Sequence, residues 1–196
     1  MQKAIGIIYD EHRSISAVLS GLKSLARMAI EGQRPDFAVF RAMIYYIDAF
    51  PERMHHPKED AYLFARLLQR DPGSRELVEA LQAEHVSGAR LVRDLEQTLL
   101  AFEQTFPSGG EKFAAAVEAY AQFHWSHMRR EERELIPRAE KALKPEDWAA
   151  IEAAFAGNSD PIADLREKDF TTLFQRILNL APAPVGLGEH WQAASK

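Results

Sequence analysis

The sequence predicts an all-α fold: an up-down-up-down four-helix bundle followed by a C-terminal helical extension. Three observations carry this expectation. Apolar residues recur at helical spacing through most of the chain, and alternating strand-like runs with Asn-Gly or Asp-Gly turns are absent. The breaks EGQRPD, DPGS and PSGG divide the first part of the chain into four long amphipathic stretches. A length of 196 residues is enough for one domain with a real core.

The first stretch spans roughly residues 2–31, with Ile5, Ile8, Ile15, Leu19, Leu22 and Ala26 on one stripe. The second runs from about Asp36 to Arg70 and is interrupted near Pro51 and Pro57, because proline lacks the amide hydrogen that a helix interior needs. The third, from about Ser74 to Phe106, places Leu77, Leu81, Val92, Leu95 and Leu99 on a common face. The fourth runs from about Glu111 past Pro137 to Leu143 and turns Phe113, Val117, Tyr120 and Leu135 inward. Residues 1–144 form the bundle in this reading. Residues 145–196 form an appendage, packed on the bundle or at a subunit interface, with a short helix that Pro145, Glu146 and Asp147 start and that runs over WAAIEAAFA, and a second over LFQRILNL, a candidate dimerisation segment.

Composition excludes several chemistries. There is no cysteine, hence no disulfide framework, zinc ribbon, thiolate cluster or cysteine nucleophile, and any metal must be held by nitrogen and oxygen. The charge balance of 24 Lys+Arg against 29 Asp+Glu makes no electrostatic case for nucleic acid. No apolar run is long enough to span a bilayer, and the N-terminal stretch lacks the apolar core of a signal peptide, so a cytoplasmic protein without a membrane partner is expected. No nucleophilic triad, phosphate-binding glycine loop or dinucleotide fingerprint is present. Catalytic turnover is left open.

Seven histidines remain to be placed. His12 falls on the inward stripe of the first helix between Ile8 and Ile15, and His85 lies inward on the third, with Gly88 leaving room beside it. The second and fourth helices each carry a histidine and a glutamate four residues apart, His55 with Glu59 and His127 with Glu131, spacing that projects both side chains from one face. Each pair is followed by an acid, Asp60 or Glu132, and then by Leu63 or Leu135. His12 and His55 are 43 residues apart and His85 and His127 are 42 apart, so two helical hairpins deliver the same set at matching offsets. Four imidazoles and two carboxylates suit a dinuclear site of first-row metal ions, iron first among them, with the carboxylates bridging two cations. Each metal then has four protein ligands and positions open for an oxo or hydroxo bridge or a small gas. His124 shares the face of His127 and Glu131 one turn away, as a further ligand or a hydrogen-bond partner of one. His56 points about 100° from His55 on an ideal helix, towards the surface or the outer sphere of the site, and is a weaker candidate ligand. His190 is expected to be solvated, Tyr45, Tyr46, Tyr120 and Trp125 to be core or interface aromatics, and Arg129, Arg130 and Arg133 to form a solvated face.

The motifs D-E-H, H-H-P-K-E-D-x-x-L-F, E-H and H-x-x-x-E-E-x-x-L-x-P over residues 2–143 resemble those of the hemerythrin-like family, the HHE cation-binding domain. The resemblance implies a bundle enclosing a non-haem di-iron centre, with His12, His55, His85 and His127 as terminal ligands and Glu59 and Glu131 as bridges. Oxygen carriers of the family have a further histidine four residues after the third-helix one, where this chain has Ala89. The site therefore resembles four-histidine, two-glutamate variants, which include proteins implicated in repair of damaged iron–sulfur clusters. Such repair proteins often carry a cysteine-containing N-terminal extension, whereas this chain has no cysteine. Three functions are expected to compete. One binds or senses O2 or NO, or handles peroxide, with an electron donor of unknown identity. Another donates or stores iron for repair. The last is a structural or partner-binding bundle stabilised by its metal.

Overall fold

A computed structural model describes residues 3–156 and, beyond them, 177, 179–182, 185 and 187–189. Helix α1 (Lys3–Ile30) ends in glycine: Gly32 adopts φ +98°, and the Gln33 amide reaches back to the Met28 carbonyl, satisfying an end carbonyl that would otherwise be orphaned. Helix α2 covers residues 37–70, its first turn capped by the Asp36 carboxylate accepting from the Ala38 amide at 2.8 Å. One 3₁₀ turn, Pro72–Ser74, leads into α3 (Arg75–Thr105). Helix α4 covers residues 110–142, and a short α5 (Pro145–Ala156) follows. All five elements lie within one or two residues of their predicted bounds.

Helices α2 and α4 are not uniformly α-helical. Asp48–His55, Glu59–Phe64 and Glu131–Leu135 are π-helical, with His56–Lys58 a single α turn between the first two. The predicted interruptions at Pro51 and Pro57 thus widen the helix without breaking it. Pro51 lies inside the first π segment, Pro57 and Pro137 lie two residues beyond a π segment's end, and the His56 amide bonds the Pro51 carbonyl five residues back. A wider turn relieves the clash between a proline ring and the carbonyl four residues earlier.

Helix α4 packs along α1 and α3, and α2 closes the bundle against both. Two apolar clusters result. One contains Leu19, Leu22, Phe40, Leu95, Phe102 and Phe113. The other contains Ile5, Ile8, Leu63, Phe64, Leu81 and Leu135, and α5 joins it through Trp148, Ile151 and Phe155. Helix α5 is further tied down by Arg70, whose Nε donates to Asp147 Oδ2 at 2.7 Å. Every inward residue predicted for the bundle helices is buried. Most of LFQRILNL and all of His190 lie outside the described residues, but Ile177 and Ala181 are buried in the first cluster.

Candidate metal centre

Between the two apolar clusters lies a polar layer. His12, His55, His85, His127, Glu59 and Glu131 are all buried, none more than 7% exposed. His12 Nε2 lies 3.2 Å from His55 Nε2, and His85 Nε2 lies 3.1 Å from His127 Nε2. Each hairpin therefore supplies one histidine pair, as the matched spacing predicts.

The outer nitrogens explain why these pairs face each other. His12 Nδ1 is 2.9 Å from Glu132, His55 Nδ1 2.7 Å from Glu11, His85 Nδ1 3.1 Å from Asp60 and His127 Nδ1 2.8 Å from Glu84. A carboxylate accepts from the Nδ1–H in every case, which leaves each neutral ring with a bare lone pair on Nε2. Two bare lone pairs 3 Å apart repel unless a proton or a cation lies between them. Carboxylate–histidine pairs of this kind orient metal ligands and raise their basicity. Glu11 and Glu84 immediately precede His12 and His85, and Asp60 and Glu132 immediately follow Glu59 and Glu131. Each acid holds a histidine of another helix. The sequence reading noted the E-H and E-[D/E] doublets without giving these acids a role.

The glutamates span the two pairs. Glu59 places Oε1 3.4 Å from His55 Nε2 and Oε2 3.7 Å from His85 Nε2. Glu131 places Oε2 3.4 Å from His12 Nε2 and Oε1 3.2 Å from His127 Nε2. Each carboxylate thus offers one oxygen to each pair, the arrangement of a bridge. All four oxygens are buried and have no hydrogen-bond partner, a state that is costly without a cation. Two overlapping groups, His12–His55–Glu59–Glu131 and Glu59–His85–His127–Glu131, have their donor atoms within 4.8 Å of one another.

Proton affinities follow from this crowding. Burial and the adjacent Glu131 push the Glu59 carboxyl well above its ordinary range. Burial acts on Glu131 in the same direction, but His127 and His12 outweigh it and hold that carboxyl well below. Burial disfavours the charged form of His127, yet Glu131 and Glu84 prevail and raise it to about 10. Burial and the neighbouring His12 lower His55 far below the usual imidazole range. Six carboxylates surround the four imidazoles, and Arg130 bonds one of them, Glu84.

The profile of the hemerythrin HHE cation binding domain matches residues 3–139. The chain belongs to this family. No curated protein matches the sequence. The HHE match covers α1, α2, α3 and nearly all of α4, the four helices that supply every donor just described.

The two weaker candidates of this HHE domain lie beside the predicted donors, His56 in the outer-sphere alternative of its prediction and His124 one turn away from His127. His56 is buried, not at the surface. One of its nitrogens comes within 4.8 Å of donor atoms of His85 and His127, but its ring lies parallel to His85 at 9° and 4.2 Å between centroids. A metal in the plane of one ring lies outside the plane of the other, so His56 stacks on a ligand and does not converge with it. His124 bonds no predicted ligand; its Nε2 is 3.1 Å from Glu52 Oε1. Glu52, absent from the sequence prediction, is buried, accepts from the Tyr120 hydroxyl at 2.9 Å and lies 3.4 Å from His56 Nδ1. Burial raises its pKa, but His124 and His56 outweigh this and hold the carboxyl ionised far below its usual range. The room at Gly88 belongs to this group: a Cβ there would lie 2.9 Å from Glu52 Oε1. Arg130 is likewise not merely solvated, since it pairs with Glu84. Tyr45 is exposed and Tyr46 and Tyr120 are buried.

Proposed function

We propose that this HHE domain holds two iron ions and uses them to bind or sense O2 or NO, or to handle peroxide. One observation carries the reading. Each metal position has four protein donors, two histidine Nε2 atoms and one oxygen from each glutamate, which leaves coordination positions to a bridging oxide or hydroxide and to a small exogenous ligand. Imidazole with carboxylate suits iron, while zinc in a structural role favours a closed four-ligand site without bridges. Bound iron would supply electrons and an open position. The chain's own groups fix the imidazole tautomers, exclude water through the two apolar clusters and balance charge. A surface cleft of about 580 Å³, lined by His12, Ser16, Trp125, Arg129 and Glu132 among others, reaches the edge of the first position.

Iron donation for cluster repair is the competing use of the same centre. Burial of all six donors supports retention of the metal over its release. Chelator challenge and ligand titration decide between the two. Iron that resists a mild chelator for hours, with a stable spectrum on adding NO, azide or peroxide, is the expected result. Iron lost within minutes and transferred to a damaged cluster overturns the sensing reading. A His127→Ala variant that loses iron yet keeps stability and cellular phenotype overturns both, in favour of a structural bundle.

A further inference from the structure

Beside the second metal position lies a buried group that metal binding does not use: Glu52, Tyr120, His124 and His56. It is not a third cation site. The His56 and His124 rings are parallel at 10° and 5.5 Å apart, and Glu52 gives Oε2 to one and Oε1 to the other, so their nitrogens do not converge. Nor is it economical as packing. A buried ionised carboxylate with its partners is generally no more stabilising than apolar residues of similar volume, and Gly88 gives up helix propensity to make room for it. His56 Nδ1 and His124 Nδ1 remain without hydrogen bonds.

The group does form a path of aromatic rings. Tyr120 lies against His124 with centroids 4.4 Å apart, and His124 lies 6.2 Å from the ligand His127. A second route passes from His124 across His56 to the ligand His85. Tyr120 is 1% exposed, and its hydroxyl already points its proton at a carboxylate. We infer that Tyr120 is a one-electron donor to the metal pair, with Glu52 receiving its proton.

The inference rests on the di-iron reading. The oxidant is hydrogen peroxide, whose O–O bond breaks as it takes up two electrons and two protons and leaves as two molecules of water; bound iron would supply one of these electrons and relay the other. That second electron leaves the Tyr120 ring by way of His124 and His127. The phenolic O–H bond breaks, and its proton forms a new O–H bond on Glu52 Oε1. The products are a neutral phenoxyl radical and a protonated Glu52. An oxidised phenol is a far stronger acid than a carboxylic acid, so even the weakly basic Glu52 accepts the proton. Burial then shields the radical from water and from other chains.

Electron paramagnetic resonance tests this on the full chain, loaded with iron and assayed for metal before being mixed with one equivalent of hydrogen peroxide and frozen. The expected result is a phenoxyl signal whose hyperfine structure collapses in protein grown on ring-deuterated tyrosine. Tyr120→Phe abolishes it at unchanged iron content, Glu52→Gln slows its formation, and Tyr46→Phe leaves it intact. Two irons per chain with no radical, or a radical that persists in Tyr120→Phe, overturns the inference alone. A chain that takes up no iron overturns the di-iron reading and the donor role with it. Should Tyr120→Phe fail to load iron, Phe replacements of Tyr9, Tyr45, Tyr46 and Tyr62 assign the radical by elimination, and loss of the signal in any of these overturns the assignment.

Discussion

At the scale of single residues, the centre depends on which nitrogen of each histidine is free. Glu84 fixes that choice for His127, and Glu84→Gln is expected to weaken metal binding by about 10–100-fold, measured by chelator competition. Unchanged affinity would mean that the Nδ1 contact has no orienting role. Protons compete with the metal for Nε2. His127, raised to about 10 in the metal-free protein, carries a proton at neutral pH that metal must displace. Apparent metal affinity is therefore expected to rise with pH through the neutral range, with protons released into the buffer on binding, as calorimetry in buffers of different ionisation enthalpy would reveal. Affinity that falls with pH would contradict the assignment. Gly88→Ala sets a favourable helix propensity of about 1 kcal/mol against a Cβ 2.9 Å from a carboxylate held by Tyr120 and His124. Overpacking of this kind costs about 1–3 kcal/mol and is expected to win, lowering the midpoint of thermal unfolding. The six donors were legible in the sequence because their spacing repeats. Glu52 was not, because a lone glutamate four residues before His56 looks like any helical ion pair, and only packing against α3 and α4 shows it to be buried.

At the scale of elements, α2 and α4 show how local chemistry serves the site. Pro51 and Pro57 read as interruptions of α2 and Pro137 as a proline that α4 runs past, yet both helices carry π turns at these prolines and continue through them. A single sequence shows where an amide is missing and not whether neighbouring helices will hold the widened turn together. Helix α5 was legible from Pro145 and the acids after it, but its attachment was not, because that depends on Arg70, far away in the chain. Arg70 donates to Asp147 and holds its carboxyl below the ordinary range, helped by the Lys144 amide, which Asp147 Oδ2 also accepts at 3.0 Å. A carboxyl with a depressed folded pKa stabilises above its unfolded value of about 3.9, and that contribution is lost as pH falls through the folded value. Asp147→Asn is accordingly expected to lower Tm by about 2–4 °C at neutral pH, with the difference vanishing at low pH. A deficit that persists in acid would place the role of Asp147 in packing and not in charge.

At the scale of the whole molecule, a layer of six carboxylates and four imidazoles divides the apolar core in two. Burying Glu59 and Glu131, whose oxygens have no hydrogen-bond partner, among four imidazoles is unfavourable without cations, so metal and fold are coupled. A ligand present at about 1,000 times its Kd adds about 4 kcal/mol of stability. For a chain of this length that corresponds to a Tm on the order of 10 °C higher with metal than after chelation. An equal Tm in both states would show that the layer tolerates its charge without a cation. In the proposed centre each hairpin supplies one histidine pair, and Glu59 and Glu131 each reach both pairs. Metal analysis combined with Mössbauer spectroscopy, on protein purified without added metal, tests this claim most directly. The account predicts about two irons per chain as an exchange-coupled pair. One metal per chain, or zinc in place of iron, would contradict it.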